Sequence, residues 1–151
     1  MDWYFGMKGH IGVDAGTGYV HSVTATAANV HDLDQVTHLV RPDDEVVYAD
    51  AGYQGVEKRP VVAASEDLSG IEWRIAARKG ALRAMPAQDR AIASTQAGVR
   101  GKVEHPFLIV KRDFGFTKTR YRGIAKNRNH LNMLFASANW LMRGRALPLT
   151  G

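Results

Sequence analysis

Two short segments rich in apolar and β-branched residues constrain the fold most, namely EVVYAD at 45–50 and IEWRIAA at 71–77. Both have the length of strands, and residues 55–65 between them are predicted to form a helix that Pro60 limits. Adjacent parallel strands require a long, usually helical connection, so this order predicts an α/β domain with a mixed sheet. Sites in such sheets form at the carboxyl ends of strands, where Asp50 is expected.

A β-hairpin is predicted to precede these strands. Residues 3–13 and 19–27 are rich in aromatic and β-branched residues, and they flank the glycine-containing turn DAGTG. The segment HDLDQVTHLV then has apolar residues at helical spacing, which predicts a short helix with Asp32 as its N-terminal cap.

The second half of the chain is predicted to be mainly helical. Residues 78–99 are expected to be loop-like at first and helical from about Gln88. Pro106 predicts a kink or helix break near 102–106, because proline lacks an amide donor and crowds the preceding turn. The last element, 127–143, is apolar nearly all round and should be buried or face a partner.

The charge changes sign along the chain. Residues 1–70 contain four Lys or Arg against eleven Asp or Glu, a net charge of about −7, whereas residues 100–151 contain eleven against two, about +9. An acidic half that attracts cations and a basic half that neutralises phosphates suit a metal-dependent enzyme acting on nucleic acid. A basic tail that is simply solvated explains the charge equally well.

Length and composition exclude several classes of protein. With 151 residues, the chain is long enough for one domain with a real core. It has no cysteine, which excludes disulfides, thiolate metal sites and a cysteine nucleophile. No signal peptide or membrane-crossing apolar run is evident, so we expect a soluble, cytoplasmic protein with no membrane partner.

The segment RGKVEHPFLIVK places one carboxylate between two cations. Arg100, Glu104 and Lys111 are separated by four and seven residues, which on an ideal helix puts them within one arc. Asp50 and Glu104 could together hold divalent metal ions for phosphoryl transfer, since magnesium prefers oxygen ligands. Alternatively, Asp50 is an ordinary turn or cap residue and Glu104 forms an intrahelical ion pair with Arg100.

At these positions the chain resembles the DDE transposases of bacterial insertion sequences. It is similar to the group whose signature is a Tyr followed after two residues by an Arg, after three more by a Glu and after six more by a Lys. Arg100, Glu104 and Lys111 match both later spacings, and Ala97 occupies the position of the Tyr. The resemblance extends over nearly the whole chain through WYFGMKGHIGVDAGTGYVHSV, VYADAGYQG, VEHPF and FGFTKTRYRGIAKN.

The resemblance implies a ribonuclease-H-like fold whose catalytic residues are Asp, Asp and Glu. Asp50 then matches the second Asp and Glu104 the Glu, while Arg100 and Lys111 support the site or contact DNA. The family's first Asp lies on a central strand upstream of WYFGMK, so we expect that strand to be missing and the sheet to be incomplete. Neither Asp2, near the terminus, nor Asp14, in the hairpin turn, simply replaces it.

A basic, aromatic-containing stretch is the candidate DNA-contact region, with a solvated face as the alternative. Its cations are Lys111, Arg112, Lys118, Arg120, Arg122, Lys126 and Arg128. Leu131, Phe135 and Trp140 are expected to pack a helix, with base stacking as the minor alternative. None of the six histidines forms a helical HxxxH pair, so structural or surface roles are expected rather than zinc binding.

Residues 1–151 are therefore expected to form one partial catalytic domain, with a hairpin and α/β part at 1–77 and a basic, mainly helical part at 78–151. Two hypotheses for its function follow. The first is a truncated or frame-split transposase catalytic region, inactive alone, that uses Mg²⁺ or Mn²⁺ on double-stranded transposon-end DNA. Its two-ion site would form only with the missing Asp, supplied by the N-terminal part of the transposase or by intact transposase. The second is a non-catalytic DNA-binding remnant able to interfere with intact transposase.

Overall fold

The computed structural model describes residues 6–146, which form two compact units. The hairpin unit consists of described residues 6–30 and 103–146, and the central unit consists of residues 31–102. The expectations for Asp2 and for the start of the first strand, at residues 3–5, lie outside the described residues.

The hairpin unit begins with two antiparallel strands, β1 (Met7–Val13) and β2 (Val20–Ala27). In the turn between them, Asp14 Oδ1 accepts hydrogen bonds from the backbone N–H of Thr17 at 2.7 Å and from its hydroxyl at 2.9 Å. Gly18 adopts a positive φ of 77°, which a residue with a side chain rarely does. The predicted hairpin is confirmed, and Asp14 stabilises its turn.

The central unit contains two strands that pair in parallel, as the order of strand and helix patterns predicts. Its strands and α-helices are α1 (Val36–Leu39), β3 (Val46–Ala49), α2 (Pro60–Ala63), α3 (Glu66–Ser69), β4 (Glu72–Ile75), α4 (Lys79–Ala84) and α5 (Ala87–Arg100). Single 3₁₀ turns occupy Asp32–Gln35, Ala51–Tyr53 and Val56–Lys58. The described strands therefore form two separate two-stranded sheets within a mixed α/β structure.

Three local predictions for this unit are wrong. Pro60 begins α2 instead of limiting a longer helix, because the first helical position needs no amide donor. Residues Lys79–Ala84 form a helix where a loop was expected. Asp32 is the first residue of its 3₁₀ turn, and the preceding cap residue, His31, makes no side-chain cap hydrogen bond.

The predicted break near Pro106 is confirmed. Helix α5 ends at Arg100, a 3₁₀ turn follows at Gly101–Val103, and α6 (Glu104–Leu108) begins directly afterwards. Pro106 is buried within the first turn of α6, where its missing N–H disrupts no helical hydrogen bond. A wide π-helical turn, Ile109–Asp113, comes next, and then the long helix α7 (Ile124–Ala146).

Each unit has its own apolar core. In the hairpin unit, α7 lies against β2, and the side-chain amide of Asn139 exchanges hydrogen bonds with the backbone N–H (2.8 Å) and carbonyl (2.7 Å) of Val20. The buried core of this unit comprises Val20, Ala25, Ile109, Val110, Leu131, Phe135 and Ala138. The buried core of the central unit comprises Val36, Val56, Val62, Leu68 and Ile71.

Helix α7 is buried on one side only, so of the two expectations for this element burial holds for one side, and a partner on the other side stays a prediction. Its buried residues are spaced three or four apart and include Leu131 and Phe135, which pack as predicted. Trp140, by contrast, is 84% exposed and Met133 is 59% exposed. The prediction that Trp140 packs a helix is therefore wrong.

Candidate functional site

Asp50 directly follows β3, as predicted, and its side chain is 86% exposed. Helix α5 contacts β3 and ends at Arg100, whose side chain is only 20% exposed. The Arg100 Nε lies 3.5 Å from the Asp50 Oδ1. Two of the predicted site residues therefore meet at the carboxyl end of a strand, where a half-buried guanidinium can orient an accessible carboxylate.

Tyr53 also lies near Asp50 at the carboxyl end of β3, although the sequence patterns did not single it out. It lies in the 3₁₀ turn after Asp50, and its backbone N–H donates to the Asp50 carbonyl at 2.9 Å. Burial, then the negative charges of Asp32 and Asp50, raise the pKa of Tyr53 to about 12. The spacing of three residues in DAGY is the sequence signal, because one tight turn returns the Tyr towards the Asp.

Glu104 is the first residue of α6 and is exposed, within the hairpin unit. Lys111 lies in the π-helical turn, with its Nζ 6.0 Å from the centre of the Phe107 ring. The 3₁₀ turn before Glu104 and the π turn after it interrupt the regular helical period. The single arc that an ideal helix would give Arg100, Glu104 and Lys111 is therefore not a property of this segment.

The chemistry of the carboxylates fits a hard divalent cation, because Asp and Glu provide the oxygen ligands that magnesium prefers. Asp50 belongs to the central unit and Glu104 to the hairpin unit. Within residues 6–146, no three Asp, Glu or His side chains are grouped so that they could hold a metal ion.

The predicted DNA-contact cations all lie on the surface of the hairpin unit. Lys111 and Arg112 belong to the π turn, and the others lie in the loop before α7 or on its first turns, at Lys118, Arg120, Arg122, Lys126 and Arg128. Arg112 is partly neutralised, because its Nε donates to Asp113 Oδ1 at 2.8 Å. That hydrogen bond also lowers the pKa of Asp113.

Asn127 holds the loop that carries three of these cations, and sequence patterns alone did not identify it. Asn127 is 4% exposed. Its Nδ2 donates to the carbonyl oxygens of Tyr121 at 2.7 Å and Gly123 at 2.8 Å, and its Oδ1 accepts the Tyr121 N–H at 3.3 Å. The ring of His130 adds edge contacts with Phe116 and Tyr121. The loop is therefore fixed against the start of α7.

Comparison with known protein families identifies the chain. The family model described as the transposase DDE domain matches residues 2–140. The chain belongs to this family. No solved structure matches it significantly. Membership supports a role in transposition and agrees with the α/β structure, and DDE transposase domains generally use divalent metal ions.

Other residues of this DDE domain have structural roles. The buried His10 side chain is hydrogen-bonded to the Thr26 hydroxyl at 2.9 Å across the hairpin, and His21 contacts the Ser22 hydroxyl at 2.8 Å. None of the helices in residues 6–146 has the length and apolar character needed to span a membrane.

Proposed function

We propose that this DDE domain is the catalytic region of an insertion-sequence transposase that performs phosphoryl transfer on double-stranded transposon-end DNA. The observation that carries the proposal is the Asp50 carboxylate, exposed at the end of β3 and held by Arg100. We also propose that the chain belongs to the Tyr-2-Arg-3-Glu-6-Lys group, which the Arg, Glu and Lys at matching spacings support and from which Ala97 departs.

In this proposal, Asp50 and Glu104 are metal ligands for Mg²⁺ or Mn²⁺. The bound ions would activate the attacking oxygen and stabilise the leaving oxygen of the scissile phosphate. Arg100 limits the rotamers of Asp50, so that the exposed carboxylate is already oriented for binding. Lys111 and the basic residues of the hairpin unit neutralise DNA phosphates.

The fold we propose is ribonuclease-H-like, with the first catalytic Asp supplied from outside residues 6–146. In that fold the first strand pairs on both sides with its neighbours. Among the described strands, β1 pairs only with β2 and β3 only with β4, so each has an edge able to accept a strand. We propose that the N-terminal part of the transposase, or intact transposase, provides this strand and its carboxylate.

The metal-ligand assignment is tested in a complete, active transposase containing this domain. Asp50→Ala and Glu104→Ala should each abolish strand cleavage of transposon-end DNA and leave DNA binding largely unchanged. Glu66→Ala is the matched control, because Glu66 is an exposed acid on α3. The Glu66→Ala variant should cleave normally. Normal cleavage by either test variant would remove that residue from the site.

The proposal that the chain is inactive alone has a separate test. Purified residues 1–151 should not cleave or join transposon-end DNA with Mg²⁺ or Mn²⁺, and adding the N-terminal part should restore activity. Cleavage by the chain alone would overturn the proposal that another segment supplies the third carboxylate.

A non-catalytic DNA-binding remnant is the second candidate function. It is favoured by the exposed cations of the hairpin unit. Its affinity for duplex DNA should fall steeply with salt, because bound phosphates release counterions. Excess chain should also inhibit cleavage by intact transposase, and salt-independent binding without inhibition would exclude this function.

A further inference from the structure

The side of α7 opposite its buried residues is partly apolar. Lys126, Met133 and Trp140 recur every seven residues, so they form a row along the helix, with successive members about 10 Å apart. Met133 is 59% exposed and Trp140 84% exposed, whereas Leu131 and Phe135 face the core at 5% and 1%. We call the row of Lys126, Met133 and Trp140, together with Arg143, the outer face of α7.

An indole exposed to this degree is a strong candidate for contact with another molecule. Tryptophan presents a large flat apolar surface, and such side chains dominate interfaces when they become buried. The adjacent Met133 side chain is flexible and can adapt to a partner's shape.

The charge of α7 indicates the chemistry of that partner. The helix contains four Lys or Arg and no Asp or Glu. Arg145 contacts Asp113, with 3.3 Å between the guanidinium and the carboxylate. Lys126, Arg128 and Arg143 form no ion pair with another residue in the part of the chain that the structure describes. Packing α7 against a second copy of itself would bring cations together, whereas an anionic partner would neutralise them.

A partner that combines negative charge with flat apolar surfaces is DNA whose bases are accessible. In a duplex the faces of the bases are covered by their neighbours, whereas an unpaired base can stack on an aromatic side chain. Arg143 follows Trp140 by three residues, about 4.5 Å along the axis, so its long side chain starts on the adjacent turn and could reach the phosphate of a base stacked on the indole.

We propose that the outer face of α7 binds unpaired nucleotides, with Trp140 stacking on a base and Lys126 and Arg143 contacting the strand's phosphates. The inference rests on the proposed function in taking DNA as the substrate. It adds a surface that selects single-stranded over duplex DNA and that does not use Asp50 or Glu104.

The test compares the affinity of residues 1–151 for a labelled oligothymidine of about 15 nucleotides with that for a blunt duplex of equal length, by fluorescence anisotropy. Trp140→Leu should weaken single-strand binding by about 5- to 150-fold, the loss expected for one stacked base, and leave duplex binding unchanged. Trp140→Phe should retain most of the affinity. Ile92→Ala, which truncates an exposed apolar residue on α5, is the control and should bind like the parent.

Salt dependence separates stacking from phosphate contact. Lys126→Gln and Arg143→Gln should each reduce the slope of log affinity against log salt by about 0.7, whereas Trp140→Leu should leave that slope unchanged. Thermal unfolding followed by circular dichroism checks that each variant is folded. Equal binding of single strand by Trp140→Leu and the parent would overturn the proposal.

Two further outcomes discriminate between explanations. If Trp140→Leu converted a dimer into a monomer without changing single-strand affinity, the outer face would be a protein interface and the proposal would be wrong. If Trp140→Leu bound single strand normally while Asp50→Ala abolished cleavage by the complete transposase, only this inference would fail. Weakened binding by Trp140→Leu with normal cleavage by Asp50→Ala and Glu104→Ala would support this inference and refute the catalytic assignment.

Discussion

Replacing the buried Asn127 should destabilise the hairpin unit far more than replacing an exposed asparagine of α7. The Asn127 side chain makes two hydrogen bonds shorter than 3 Å and a longer one of 3.3 Å to the loop before α7. At about 1 kcal/mol each, with the long one weaker, Asn127→Ala should lower the free energy of unfolding by about 2–3 kcal/mol. Urea unfolding followed by circular dichroism measures this change.

Two further variants test whether hydrogen bonding causes the effect. Asn127→Asp keeps the shape of the side chain, but it replaces the donor that faces two carbonyl oxygens with a buried charge. It should therefore destabilise more than Asn127→Ala at neutral pH. Asn132→Ala removes an exposed asparagine from the same helix and should change the stability by less than about 0.5 kcal/mol. Equal stabilities for Asn127→Ala and Asn132→Ala would refute the reasoning.

Three other predictions concern the core, alkaline stability and the site. Phe135→Ala removes a side chain that is 1% exposed and whose ring centre lies 5.3 Å from that of Phe107. Urea unfolding should therefore show a free energy of unfolding lower by about 3–5 kcal/mol, and a decrease below about 1 kcal/mol would contradict the packing described. Because the folded pKa of Tyr53 is about 12 against an ordinary 10.0, stability should fall as pH rises from about 10 to 12, and Tyr53→Phe should lessen that fall. Arg100→Gln should cost at most about 1 kcal/mol in stability but reduce cleavage by the complete transposase about 10- to 100-fold, and unchanged cleavage would exclude a positioning role.

The elements that the sequence predicted correctly are those whose signals are local. The hairpin follows from β-branched runs around DAGTG, and the break before Glu104 follows from Pro106. Trp140 could not be placed in this way. Helix α7 carries apolar residues on nearly all of its sides, so its packing against β2, and not the helical period, decides which of them are buried.

The candidate site shows the same division. Asp50 could be assigned to a strand end because EVVYAD is a local pattern. Its contact with Arg100 depends on the packing of α5 against β3, two elements separated by about forty residues, which no local spacing encodes. Asn127 was missed for a related reason, since a buried asparagine and a solvent-facing one look alike until the loop partner is known.

The π-helical turn at Ile109–Asp113 affects how this segment tolerates changes in length. A π turn closes over five residues where an α turn closes over four, so it is equivalent to a regular helix carrying one additional residue. Deleting the exposed Arg112 would leave the buried Ile109 and Val110 in place and allow the turn to close as an ordinary α-helix. An alignment gap of one residue just after Lys111 in a relative would then mark a tightened helix, with the Arg, Glu and Lys of the signature still intact.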